Sequence, residues 1–125
     1  EVLLQSMFIP CPMGNLNIDT YRFFEALEAG AIPLILKSHA WQPYSYYEIL
    51  LGKHPIPTFS SWKQAKHFLE CIDPDSIEML SQEVNRWYAA FKSDLKLIIR
   101  ESLLKSAQNR LLAQDIHDLD SLCQR

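Results

Sequence analysis

The sequence predicts an α/β domain, a parallel sheet flanked by helices and closed by a long helical C-terminus. Three observations carry that reading. Residues 31–36, Ala-Ile-Pro-Leu-Ile-Leu, form a short and wholly apolar run, as expected of a parallel strand buried on both faces. Immediately before it, Phe23, Ala26, Leu27 and Gly30 fall on one stripe at helical spacing. Further on, Ile77, Leu80, Val84, Trp87, Phe91, Leu95 and Ile98 recur every three or four positions, and neither Pro nor Gly interrupts them.

Taken in order, Leu3, Leu4 and the run Met7-Phe8-Ile9 predict a first strand, halted by Pro10 and Pro12, which cannot donate to a ladder. Residues 13–18 read as a loop rich in turn formers (Gly14, Asn15, Asn17). Asp19 or Thr20 caps the next helix, and Gly30 supplies its left-handed stop before the second strand. An aromatic, irregular stretch follows, with a short helix over residues 46–51. Ile56-Pro57-Thr58-Phe59 is a weak third strand near a sheet edge. Ser60 or Ser61 caps a helix to Glu70, with Trp62, Ala65, Phe68 and Leu69 facing inward. Asp73-Pro74-Asp75 then opens the last helix with a cap, a proline at the first helical position and an acid in the first turn. Its apolar stripe is expected to pack on the sheet, with a bend near Ser93, and the polar end from Gln114 is expected to fray.

Length and composition bound the function. The 125 residues suffice for one domain, and 48% apolar with 22% charged residues is ordinary for a globular chain. A net charge of −3 argues against a duplex nucleic-acid surface. No apolar run approaches the roughly 20 residues that span a bilayer. Cys11, Cys71 and Cys123 fit no zinc or redox spacing and are read as three thiols. Three strands are few for such a sheet, so the chain is expected to be a fragment whose sheet is completed upstream of Glu1.

Strand, turn-rich loop, helix N-terminus and strand together form a unit that α/β proteins use to hold nucleotides. Arg22 lies in the first turn, where free N–H groups and the macrodipole already attract anions, and its guanidinium can grip a diphosphate. Glu25 projects from the same side, and a carboxylate can accept from both hydroxyls of a ribose. Spacing alone equally allows a plain i, i+3 surface ion pair. Gly14, Asn15 and Thr20 can offer backbone N–H groups or a hydroxyl to phosphate. The loop has neither a Walker-type lysine nor Gly-x-Gly-x-x-Gly. Trp41, Tyr44 and His39 follow the buried strand at the sheet's ligand-binding end. Covering the core is the better reading for Trp41.

The run Arg22-Phe23-Phe24-Glu25-Ala26-Leu27-Glu28-Ala29-Gly30-Ala31-Ile32-Pro33 resembles the signature Arg-x-x-Glu-Ala-Leu-x-Ala-Gly-x-x-Pro of exostosin-type glycosyltransferases. The likeness spans residues 7–99 and is strongest over residues 8–36. It implies a Rossmann-like sheet, the C-terminal half of a GT-B-type enzyme, with residues 1–113 as the nucleotide-sugar lobe and 114–125 as a polar tail. The implied reaction is inverting transfer of a sugar from a UDP-linked donor to a glycan hydroxyl. The resemblance puts Arg22, Thr20, Gly14 and Asn15 by the donor diphosphate, Glu25 on the ribose, and Tyr44 and His39 at the base or sugar pocket.

The resemblance also assigns the general base to an N-terminal lobe of the same enzyme. Family members often carry a basic residue near Met13; here phosphate neutralisation rests on Arg22. No cofactor or metal is expected. Asp73-Pro74-Asp75 is a helix cap and Asp118-Leu119-Asp120 has no strand before it, so neither is read as the Asp-x-Asp motif of other glycosyltransferases. The expected partners are donor, glycan acceptor and N-terminal lobe, without nucleic acid and without membrane contact from this segment. A eukaryotic relative would face the Golgi lumen and a bacterial one the cytoplasm. Two other readings stay open: a non-catalytic interaction module of the same fold, and another α/β nucleotide or phosphate binder.

Overall fold

The computed structural model describes residues 6–12, 21–37 and 46–123, with side chains as far as residue 110. Seven elements follow in the order β1 (Phe8–Pro10), α1 (Tyr21–Glu28), β2 (Ile32–Leu36), α2 (Tyr46–Leu51), β3 (Thr58–Phe59), α3 (Trp62–Cys71) and α4 (Pro74–Cys123). The three strands are parallel in the order β1-β2-β3. This is the small α/β domain that the apolar run and the helical stripes predict.

The ladder explains how a proline sits in the central strand. β1 pairs with the first half of β2 (Phe8 opposite Ile32, Ile9 opposite Pro33, Pro10 opposite Leu34). β3 pairs with the second half (Ile35 opposite Thr58, Leu36 opposite Phe59). Ile32 donates its N–H to the Met7 carbonyl at 2.8 Å and Leu34 accepts from the Cys11 N–H at 2.9 Å, so both face β1. Backbone groups alternate along a strand, so Pro33 faces the other side, where β3 has not yet begun. Its missing donor therefore removes no ladder bond. The same alternation turns the nitrogen of Pro10 outward from edge strand β1. The strand ends at Pro10, as the pair Pro10 and Pro12 predicts.

Side chains alternate with the backbone and build two apolar layers. Leu34 and Phe59 meet Ala65 of α3, with Phe8, Leu36 and Phe68 packed against them. The Phe68 ring lies 6.2 Å from Phe8 and 5.3 Å from Phe59. Elsewhere Phe23 of α1, wholly buried, meets Tyr47 of α2 at 4.6 Å between ring centroids. Trp62 and Leu69, expected to face inward, stay 38% and 39% exposed. Ala65 and Phe68 alone occupy the stripe of α3 that meets the sheet, and Trp62 and Leu69 flank it.

The caps follow the sequence closely. Ser61 Oγ accepts from the Gln64 N–H at 3.3 Å, while Gln64 Oε1 reaches back to the Ser60 N–H at 2.8 Å. Asp73 Oδ1 accepts from the Ser76 N–H at 2.9 Å and its other oxygen accepts from the Ser76 hydroxyl at 2.6 Å. These bonds hold the Asp73 carboxyl below the usual carboxylate range. α1 ends in a Schellman turn: Gly30 has φ +75°, its N–H donates to Leu27 at 3.1 Å, and the Ala31 N–H donates to Ala26 at 2.9 Å.

α4 begins within the domain. Val84 and Tyr88 are buried, and the Tyr88 hydroxyl donates to Glu28 Oε1 of α1 at 2.8 Å. The compact unit that contains the sheet ends at Tyr88, and residues 89–125 form a second unit. Within the second unit Leu95, Ile98, Leu103 and Leu104 are 44–66% exposed. The expectation of a stripe packed along its whole length is met in the first unit by Val84 and Tyr88, whereas these four side chains of the second unit are exposed. The helix continues unbroken through Ser93 and through the stretch from Gln114 expected to fray. No helix of the described residues is long and apolar enough to cross a membrane.

A side chain at Gly30 would meet only the Asn85 side chain, at 3.9 Å, so the cost of Gly30→Ala is conformational. Left-handed backbone costs an L-residue about 1–2 kcal/mol. Urea unfolding of Gly30→Ala should show a loss of that size with an unchanged slope.

Candidate functional site

Parallel strands direct their carboxyl ends to one side, and there β1 gives way to the chain that leads to α1. Cys11, the first residue past β1, is 3% exposed. Its N–H is taken by Leu34, and its thiol lies 3.4 Å from the Ile9 carbonyl. Burial pushes the thiol up to about 11, opposed by the positive charge of Arg22. α1 runs from the chain past β1 back to the start of β2, which puts its first turn, with Arg22, toward the carboxyl end of β1.

α1 presents two faces. Phe23, Ala26 and Leu27 are buried, so Tyr21, Arg22 and Glu25 lie on the exposed side. No ion pair joins Arg22 to Glu25, although spacing alone allowed one. The two charges on this face are therefore not spent on each other. Tyr21 was missed by sequence reasoning. It is 90% exposed beside Arg22 and four residues before Glu25, a signal already present in the i, i+4 spacing. Gly14, Asn15 and Thr20, expected by the phosphates, and His39 and Tyr44, expected at the base or sugar pocket, lie outside the described residues, as does Trp41.

A concavity of about 490 Å³ lies beside the segment that enters β3 and is lined by Glu48, Gly52, Lys53, His54, Ile56 and Thr58. It sits at the amino end of β3, away from the strand ends that Arg22 overlooks. Both ring nitrogens of His54 are buried without a hydrogen bond of good geometry, and the Trp87 ring is 6.1 Å away. Burial lowers the His54 pKa, and the Glu48 charge and the nearby Ile56 backbone only partly oppose that. This residue too escaped sequence reasoning, because the Trp87 ring that it meets lies more than thirty positions away.

Two measurements follow. Native thiol labelling should modify exposed Cys71 quickly and leave Cys11 untouched until the protein unfolds, with peptide mapping to separate both from Cys123. Stability should also depend on His54. A histidine with a lowered folded pKa binds protons more readily when unfolded, so its contribution is full above about pH 6.5 and shrinks as pH falls below it. The melting temperature of His54→Gln should fall less than that of the wild type between about pH 7 and pH 5.

Residues 1–109 match the family model described as the RXYLT1 C-terminal domain. No curated protein and no solved structure gives a significant match. With 109 of its 125 residues matched, the chain belongs to the RXYLT1 C-terminal domain family, that of an exostosin-type, xylosyltransferase-like protein.

Proposed function

We propose that the chain supplies the nucleotide-sugar-binding half of a GT-B-type glycosyltransferase that moves a sugar from a UDP-linked donor to a glycan hydroxyl with inversion. The supporting observation is the exposed face of α1, where Arg22 stands at the carboxyl end of β1 with Glu25 one turn on and not paired to it. Membership of a glycosyltransferase-like family points the same way.

In this reading the donor diphosphate rests on the first turn of α1, where Arg22 adds two parallel charged bonds to the pull of the helix end. Glu25 accepts from the ribose hydroxyls. Thr20, Gly14 and Asn15 line the phosphate side, and Tyr44 and His39 the base or sugar side. As the acceptor oxygen attacks the anomeric carbon, the bond to the diphosphate breaks on the opposite face and negative charge grows on the leaving nucleotide. Arg22 stabilises that charge. The acceptor's proton passes to a base on an N-terminal lobe, which is also the chain's proposed partner. No metal or other cofactor enters this scheme, and the charge balance leaves nucleic acid out.

A non-catalytic module of the same fold is the competing reading, and the lack of a basic residue near Met13 is what favours it. Each charged hydrogen bond contributes about 1.5–3 kcal/mol, so losing one should weaken donor binding roughly tenfold to a hundredfold. Ligand-observed NMR with UDP and UDP-sugars separates the readings. Saturation of ribose and base protons should appear with wild type and weaken by that factor in both Arg22→Ala and Glu25→Gln. Donor affinity unaltered in Glu25→Gln would discard the ribose role.

A further inference from the structure

The concavity of about 490 Å³ beside the segment that enters β3 takes no part in donor binding as proposed above. α2 contributes Glu48 to its lining and β3 contributes Thr58. Between them the chain leaves α2 at Gly52, which has φ +67° and donates its N–H to the Glu48 carbonyl at 2.9 Å. A Cβ placed on Gly52 would meet nothing within 4 Å, so the space is open at this turn. The lining is chemically mixed. Glu48 offers acceptors, Lys53 offers donors and the Thr58 hydroxyl offers both, while buried Ile56 adds an apolar surface. The charges of Glu48 and Lys53 are opposite, which gives no net attraction for a strongly charged ligand. Both ring nitrogens of His54 are buried without a hydrogen bond of good geometry. Such atoms are few in folded proteins, and this pair belongs to a residue of the lining.

We propose that this concavity is a subsite for a neutral sugar ring of a glycan, separate from the exposed face of α1. Its volume falls in the range of small-molecule sites, about 300–1,000 Å³. Each ring hydroxyl both donates and accepts, so neighbouring hydroxyls give to Glu48 and take from Lys53 and Thr58. The C–H face of the ring meets Ile56. One more hydroxyl supplies the partner that His54 lacks, once the imidazole turns about its bond to Cβ. A small zwitterion would answer the two charges and leave Thr58 and His54 without a use. The subsite stands independently of donor binding at Arg22 and Glu25, because a sugar without a nucleotide probes it alone.

Ligand-observed NMR of the whole chain with methyl glucoside, methyl galactoside and methyl xyloside tests the site. Saturation of ring protons should appear with at least one of them. It should persist in Arg22→Ala and in the presence of excess UDP, so that a failure of UDP to bind leaves this subsite standing. Glu48→Gln and Lys53→Met each remove one charged hydrogen bond and should weaken binding about tenfold. Both side chains are exposed, so circular dichroism should match the wild type. A ring-proton resonance of His54, identified by its absence in His54→Gln, should shift with the bound sugar. A folded wild type that shows no saturation from any of the three sugars at tens of millimolar overturns the assignment. So does saturation that is unmoved in both variants, lost on adding UDP, or matched by glycerol or glycine.

Discussion

The domain depends on β2. A strand buried on both faces must satisfy every backbone donor and acceptor from its neighbours, because water does not reach it. Here one partner serves its first half and another its second. That division makes room for Pro33, whose ring would break a ladder paired along its full length. The strand is short and so are its partners, which leaves much of the fold's stability to the layers above and below: Phe23 against Tyr47, and Leu34 and Phe59 against α3.

The Schellman turn at Gly30 links β2 to the candidate site. It returns the chain from the end of α1 straight into the buried strand, and so fixes how far the first turn of α1 stands from the sheet. The buried stripe Phe23, Ala26 and Leu27 fixes the rotation of the helix about its axis. Once both are set, Arg22 and Glu25 fall on the exposed side of α1. Cys11 lies just past β1, where burial pushes its thiol up and the Arg22 charge opposes that.

α4 serves two environments in one helix. Its first turns close the domain through Val84, the contact of Trp87 with His54, and the bond from Tyr88 to Glu28. Burial, and after it that bond to the Glu28 carboxylate, push the Tyr88 pKa up to about 12. In the second unit Leu95, Ile98, Leu103 and Leu104 are exposed, although their spacing continues the stripe that Val84 carries. Hydrophobic spacing reports which face is apolar. It says nothing of where the partner ends.

What the amino-acid sequence determined by itself is local. The apolar run of β2, the glycine stop of α1, the Ser61 and Asp73 caps and the Arg-x-x-Glu-Ala-Leu signature rest on interactions within a few residues, and those were legible without coordinates. The unit's family followed from the same short motif. The tertiary structure decided what depends on distant chain. It set the register that admits Pro33 and Pro10, the absence of an ion pair between Arg22 and Glu25, the contact of His54 with Trp87, the solvent exposure of Trp62 and Leu69, and the exposure of Leu95 and Ile98. Each of these is a balance of desolvation and packing between residues far apart in sequence, and that balance exists only once the chain has folded.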